Sequence, residues 1–388
     1  MICNRIPDSE LQKRTTPRED DIRGCYYRDQ TAIFHSKPFR RLKYKTQVFF
    51  NPNDDHICTR IEHVLHVASV SATICRGLNA KKDEGWALNE DMAYAISLGH
   101  DLGHTPFGHA GEAALARYLG GRETFMHEVN SYRVVEKLIS GGKGLNLTYA
   151  VKDGIICHNG EKFERAITPD FTVKDLDSIK SRKFVPSTYE GAIVRFSDKI
   201  AYLGRDIEDA MVAGFIKKKD IPHEIRKRIG DSNSDIINYL VTDLVANSTA
   251  DAIAVSEEAH QLMLLLRKFN YQNIYGHPIQ LEVEKSCDRI VSTIFDYLYD
   301  IHCHFDWANH RYRGKRTLIL DNYFVDYLKN MSAYYLNEAA QNGWSEEQMG
   351  KQIVADYLSG MTDRFALECV KEITLPRAVK FHHGKGEF

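Results

Sequence analysis

Apolar residues recur at helical spacing through much of this 388-residue chain, and the clearest run follows Thr59-Arg60-Ile61-Glu62. That tetrapeptide is a capping box, in which the threonine and the glutamate three residues on can each satisfy a free amide at a helix start. Behind it Ile61, Val64, Leu65, Ala68, Ala72 and Cys75 form one stripe, and Val67, Val70 and Ile74 form a second that continues from His63. A helix apolar on both faces belongs in a core, here with His63 at its beginning. A second helix is predicted from about 89 to 99, ending in Gly99-His100-Asp101-Leu102-Gly103-His104. Further helices are expected at 109–119, 126–140, 189–213, 234–247, 256–268, 279–302, 322–339 and 345–370. Strand signals are sparse, the best being Gln47-Val48-Phe49-Phe50, too little for a central sheet. The expectation is an all-α fold. The lysines at 217–219 and Pro222 mark a joint, so three regions are expected: an arm at 1–57, a chemistry-bearing core at 58–215 and a helical region at 216–388 packed on it as one continuous domain.

Composition changes this picture little. Lys and Arg total 51 against 53 for Asp and Glu, so the surface as a whole is not built for nucleic acid. The eight cysteines are scattered with no C-x-x-C pair and read as reduced thiols. With no signal-like apolar run at the start and no stretch long enough to span a bilayer, the expected location is the cytoplasm, away from membranes.

The chemistry gathers on four residues suited to a hard or borderline metal. His63 begins one helix, His100 and Asp101 end the next, and Asp198 lies on a third in Arg195-Phe196-Ser197-Asp198-Lys199-Ile200-Ala201-Tyr202. Adjacent helical residues diverge by about 100°, so His100 and Asp101 could not easily share one ion from a helix interior. At a helix end flanked by Gly99 and Gly103 both can turn inward. Imidazole and carboxylate without thiolate suit a divalent ion such as Mn2+, Mg2+, Fe2+, Co2+ or Zn2+. The segment Gly99 to Glu112, G-H-D-L-G-H-T-P-F-G-H-A-G-E, is a poor way to build a core and a good way to present polar groups to a ligand. Within it His109 and Glu112 stand three apart on one helix face and can pair, which would orient the imidazole for proton transfer near neutral pH. On the third helix Asp198, Tyr202 and Asp206 recur every four residues and face the same way.

These stretches together resemble the HD-domain phosphohydrolases, and more closely the bacterial deoxyguanosine triphosphate triphosphohydrolase family. The segments carrying the resemblance are 35–49 (H-S-K-P-F-R-R-L-K-Y-K-T-Q-V-F), T-R-I-E-H at 59–63, the glycine loop at 99–112, S-D-K-I-A-Y at 197–202 and D-Y-L-S-G-M-T-D-R-F-A at 356–366. The pattern His63…His100-Asp101…Asp198 alone specifies only the superfamily. The resemblance implies a metal held by those four residues and hydrolysis of a dNTP at the α-phosphate to deoxynucleoside and inorganic triphosphate. It implies catalytic roles for His109, Glu112 and His127, and phosphate contacts from Arg60, His104 and Lys199. It places Gln47, Tyr202 and Asp206 at the sugar, where the tyrosine ring fills the space of a 2′-hydroxyl. It also implies a homo-oligomer, a hexamer or tetramer, and leaves open activation by an allosteric nucleotide and weak single-stranded nucleic-acid binding.

Other polar clusters rank lower. His66 is expected in packing, His302-Cys303-His304-Phe305-Asp306 as a helix-end surface cluster, and His382 and His383 in a polar tail. His158 is expected near the cleft, and the basic cluster Lys37, Arg40, Arg41, Lys43 and Lys45 is read as solvated charge, a contact between subunits or an allosteric site. Two alternatives stand beside the main reading. One is another HD phosphohydrolase, such as a monophosphatase or a cyclic-nucleotide or alarmone hydrolase; the other is a non-catalytic nucleotide or nucleic-acid binder on the same fold.

Overall fold

The capping box forms: the Thr59 amide donates to Glu62 Oε2 at 2.7 Å, and the helix behind it runs for twenty residues. In the computed structural model, residues 1–376 are described except 20, 51–55, 82, 122 and 160–161; His382 and His383 lie outside the described residues. Sixteen α-helices occur among them. They are α1 Asp8–Leu11, α2 Cys25–Phe34, α3 Lys37–Arg41, α4 Arg60–Asn79, α5 Glu90–Gly99, α6 Gly108–Tyr118, α7 His127–Arg133 and α8 Tyr149–Ile156. There follow α9 Tyr189–Val212, α10 His223–Arg228, α11 Asn233–Asn247, α12 Glu257–Asn270, α13 Pro278–Cys303, α14 Ile319–Asn342, α15 Glu346–Ser359 and α16 Asp363–Thr374. Two antiparallel pairs of two-residue strands, Ala166–Ile167 with Ile253–Ala254 and Phe305–Asp306 with Arg311–Tyr312, are the sheet content of the described residues. The fold is all-α, as expected, and none of these helices is long and apolar enough to cross a membrane.

Apolar side chains gather into two cores. The first runs from Ile6 to Ile274, with α4, α5, α8 and α9 packed together at its centre. The second joins α13–α16, from Cys287 to Cys369, to Phe107, Phe125 and the α6 residues Ala114, Leu115 and Ala116. The helix that follows the glycine loop therefore rests on the rear core, while the helices bearing His63, His100 and Asp198 belong to the front one. A cleft of about 1000 Å³ opens along that seam.

Two expectations need correction. The segment 47–50 is not a strand: Thr46 makes one bridge to Thr59, and the next carbonyls serve side chains, Gln47 O accepting from Arg60 and Val48 O from Gln280. The expected helix at 345–370 is two helices, because the Thr362 hydroxyl caps a new one by accepting the Phe365 amide at 3.2 Å. That break has a use. Asp363 Oδ2 accepts the Thr46 amide at 2.8 Å and the Thr46 hydroxyl, and Oδ1 accepts the Phe107 amide at 2.9 Å. Lys45, buried from the same basic cluster, donates to the carbonyls of His104 and Ser359. Burial, helped by the nearby Arg41 charge, pulls its ammonium down to about 7. These bonds pin the glycine loop to the rear helices.

Gly103 shows how tight that fit is. Its carbonyl accepts from Asn130 Nδ2 at 2.6 Å and its amide donates to Ser131 Oγ at 2.9 Å, and a Cβ there would stand 2.1 Å from the Ser131 nitrogen. Replacing Asp363 by Ala strands the buried Phe107 amide and the half-buried Thr46 amide, each costing on the order of 1–3 kcal/mol. Urea unfolding of Asp363→Ala should show stability lower by about 2–4 kcal/mol; an unchanged midpoint would contradict the clamp.

Candidate functional site

Three helices bring the first cluster together. His63 stands on the first turn of α4, His100 caps the end of α5, and Asp198 projects from the middle of α9. His63 Nε2 lies 3.0 Å from Asp198 Oδ1, and His100 Nε2 lies 3.8 Å from the same oxygen and 3.7 Å from Asp101 Oδ1. Asp101 in turn accepts from Arg60 Nη1 at 2.5 Å through its other oxygen. All five side chains are buried. Burial works against both carboxylates, yet Arg60 beside Asp101, and the His63 hydrogen bond at Asp198, hold them below the usual range. His100 donates from Nδ1 to the Ser97 carbonyl at 2.7 Å, so its Nε2 carries a lone pair, and that atom has no hydrogen-bond partner. One donor atom each from His63, His100 and Asp198 lie within 4.8 Å of one another, close enough to share a divalent cation.

The second cluster comes from the glycine loop, α6 and α7. Glu112 Oε2 lies 2.9 Å from His127 Nδ1 and 3.8 Å from His109 Nδ1. His127 stacks on His104 with ring centroids 4.5 Å apart, and His109 reaches the exposed rim. The pair expected between His109 and Glu112 is thus a three-way arrangement whose shorter contact goes to His127. Arg182 completes it, bonding Glu112 Oε1 at 2.9 Å and Glu128 Oε1 at 2.8 Å. Burial disfavours charge on His127, but Glu128 and Glu112 outweigh it and hold the imidazolium up to about 10. His104 goes the other way, pushed well below its ordinary value by burial and by the Arg60 charge. A neutral ring therefore lies stacked on a protonated one.

On the remaining wall Tyr202 and Asp206 follow Asp198 along α9 and line the cleft, as their spacing predicts. Asp206 is buried, accepts from the Tyr275 hydroxyl through Oδ2, and has no partner at Oδ1. Burial lifts its carboxyl to about 7. Gln47, Arg60, His63, Asp101, His104, His109, Glu112, His127 and Asp198 line the same cleft, with His100 buried behind them. Lys199 does not line it. Its ammonium, pulled down to about 8 by burial, pairs with Glu164 Oε2 at 3.2 Å, and Arg195 pairs with the same carboxylate. The phosphate contact expected of Lys199 is not prepared in this arrangement. His66 is half-buried on α4 outside the cleft lining, and the 302–306 cluster disperses: His304 faces solvent and Asp306 pairs with Arg313. His158 is fully buried, its ring 4.9 Å from that of His100 and 5.4 Å from that of His127. Arg182, Tyr275 and Gln280 were not singled out in sequence. Arg182 lies in an irregular segment with no periodicity to mark it, and Tyr275 ends a π-helical turn, Tyr271–Tyr275, beyond the predicted helix.

An HD domain matches residues 60–203, which hold every member of both clusters, and a phosphohydrolase-associated domain matches 306–372, which hold the Asp363 clamp. The chain is 37% identical over 370 residues to a deoxyguanosinetriphosphate triphosphohydrolase-like protein of Caldanaerobacter subterraneus subsp. tengcongensis, covering 94% of this chain and 90% of that one. It belongs to the deoxyguanosinetriphosphate triphosphohydrolase-like family of HD-domain proteins. Proteins of the same description from Desulfatibacillum aliphaticivorans and Clostridium tetani are 34% and 35% identical, covering 95% and 96% of this chain and 93% and 94% of their own. The first cluster is the buried His/Asp arrangement that suits the divalent metal site of an HD phosphohydrolase.

The His127–Glu112 pair has a pH signature. His127 is raised above its ordinary 6.5, so its contribution to stability is complete below about pH 6.5 and is lost as pH rises through about 10. Glu112 is held well below 4.5 by His127 and His109 against its burial, so its contribution is present above about pH 4.5 and fades as pH falls. In ¹⁵N-edited NMR at pH 8, His127 should show imidazolium shifts, and Glu112→Gln should bring its titration down toward neutrality. A neutral His127 ring at pH 8 in the unaltered protein would contradict the pairing.

Proposed function

We propose that this protein hydrolyses deoxynucleoside triphosphates at the α-phosphate, with a divalent metal ion, releasing the deoxynucleoside and inorganic triphosphate. The observation that carries the reading is one cleft joining the His/Asp cluster, the His104–His109–Glu112–His127 cluster and the Asp206–Tyr275 pair. The residues fit an ion: two carboxylates converge with two imidazoles, and His100 Nε2 is buried with no other partner. His63, His100, Asp101 and Asp198 would hold it. The donor set accepts Mn2+, Mg2+, Fe2+ or Co2+. Bound there, the ion supplies Lewis-acid polarisation of a phosphoryl oxygen and acidification of water.

The remaining steps fall to side chains. Arg60, held by Asp101, and neutral His104 present N–H groups to phosphate oxygens on the cleft floor. The departing 5′-oxygen needs a proton, and His109 or His127, both against Glu112, is the donor. Asp206 offers Oδ1 to a sugar hydroxyl, with Tyr275 fixing its other oxygen, and the Tyr202 ring occupies the space a 2′-hydroxyl would need. Base preference lies with the outer lining, to which Phe163, Arg267, Tyr271 and Glu284 contribute.

Incubation with each of the four dNTPs and GTP, with several divalent metals and the products separated by anion exchange, should give inorganic triphosphate from dNTPs and much less from GTP. Orthophosphate or pyrophosphate as the sole inorganic product would overturn the reaction. His109→Ala should lower turnover by about 10²–10⁴-fold with metal content retained, whereas Asp198→Ala should lower metal content itself. Unchanged turnover in the first, or unchanged occupancy in the second, would remove that residue from its role.

A further inference from the structure

His100 and His158 are built alike. Each follows the end of a helix, α5 and α8, which pack against each other. Each donates from Nδ1 to the carbonyl three residues back at 2.7 Å, His100 to Ser97 and His158 to Ile155. A carbonyl only accepts, so both Nδ1 atoms hold the proton and both Nε2 atoms carry a lone pair. Both Nε2 atoms are buried and have no hydrogen-bond partner. The rings meet edge to face, at 81° with centroids 4.9 Å apart, closer than the 5.5 Å between His63 and His100. A buried acceptor with no partner is costly, and two prepared the same way at one place point to a common occupant.

The donor atoms decide which occupant. One atom each from His100, Asp101 and His158 lie within 4.8 Å of one another, as do those from His63, His100 and Asp198. The two groups meet at His100, the residue common to both, and His100 Nε2 is the lone-pair nitrogen of that ring. A third group, His127, Glu128 and His158, meets the same limit. It is already satisfied, however: Glu128 accepts from Arg182 through both oxygens, and His127 Nδ1 bonds Glu112. His158 is fully buried and does not line the cleft, so it cannot meet substrate directly.

We propose that His158 Nε2 is a fifth protein ligand of the cation, beside His63, His100, Asp101 and Asp198. The inference rests on the metal-site reading given above. Three imidazoles and two carboxylates leave a six-coordinate ion one exchangeable position instead of two. Three nitrogen donors also favour Mn2+, Fe2+ or Co2+ over Mg2+, which prefers oxygen.

The test uses the full chain, stripped of metal and reloaded with one equivalent of Co2+, with X-ray absorption counting coordinated imidazoles. Three are expected in the unaltered protein and two in His158→Ala, with Co2+ affinity lower by about 10-fold or more in the variant. Adding free imidazole to the variant should restore the third. His158→Gln, which preserves more of the side-chain volume, should lose the third imidazole too, and if neither variant folds, the count in the unaltered protein decides alone. One bound ion with two imidazoles overturns the role of His158 and leaves the four-residue site standing. Failure to bind Co2+ stoichiometrically overturns the metal-site reading beneath it.

Discussion

Asp101 and Asp198 are buried within reach of one imidazole nitrogen, and two carboxylates cannot both stay ionised in a helical interior without compensating charge. Arg60 answers one of them. His100 presents an unprotonated nitrogen and so adds no positive charge. His63 answers the other carboxylate through its hydrogen bond, and the cluster of two carboxylates with an unprotonated imidazole nitrogen suits a divalent cation. This requirement accounts for the geometry around it. The helices α4, α5 and α9 must converge on one point, which makes α4 apolar on both faces. The loop after α5 must also turn at once, which brings Gly103 against the backbone of α7.

The rear half of the chain is part of that solution. Its own core holds α6, and α6 carries His109 and Glu112. Asp363 and Lys45 tie the loop before α6 to α15 and α16. Arg133, the last residue of the same α7, is bonded by both Glu338 and Asp356 from the rear helices. The His104–His109–Glu112–His127 cluster is thus held from both cores, through α6 at the rear and α7 at the front, while the His/Asp cluster is held from the front one.

The elements legible in sequence were those with one apolar face or a cap. The start of α4 was visible from Thr59 and Glu62, and the stripe Asp198, Tyr202, Asp206 carries correctly to one wall of the cleft. Helix α8 was missed because it is buried on every side, leaving no polar face for periodicity to detect; Gly154 serves there to admit Ile96. Lys199 does not share the cleft with Asp198 because adjacent helical residues diverge: with Asp198 toward the cleft, the next side chain turns to Glu164. Lys45 and Asp363 looked like surface charge and a motif fragment respectively, and only the tertiary fold shows them as anchors of the loop. The chemistry of His158 was hidden for a similar reason, since its significance lies in repeating the His100 geometry on a helix far away in sequence.

If one ion, one proton-donating pair and one sugar wall share this cleft, water must attack the α-phosphorus and the bond broken must be the one to the 5′-oxygen. Hydrolysis of a dNTP in H₂¹⁸O tests that directly. Mass spectrometry of the products should find the label in the released triphosphate and none in the deoxynucleoside. Label in the deoxynucleoside, or in orthophosphate or pyrophosphate split from the far end of the chain, would contradict the placement of the reacting phosphorus between the His/Asp cluster and the His109–Glu112–His127 cluster.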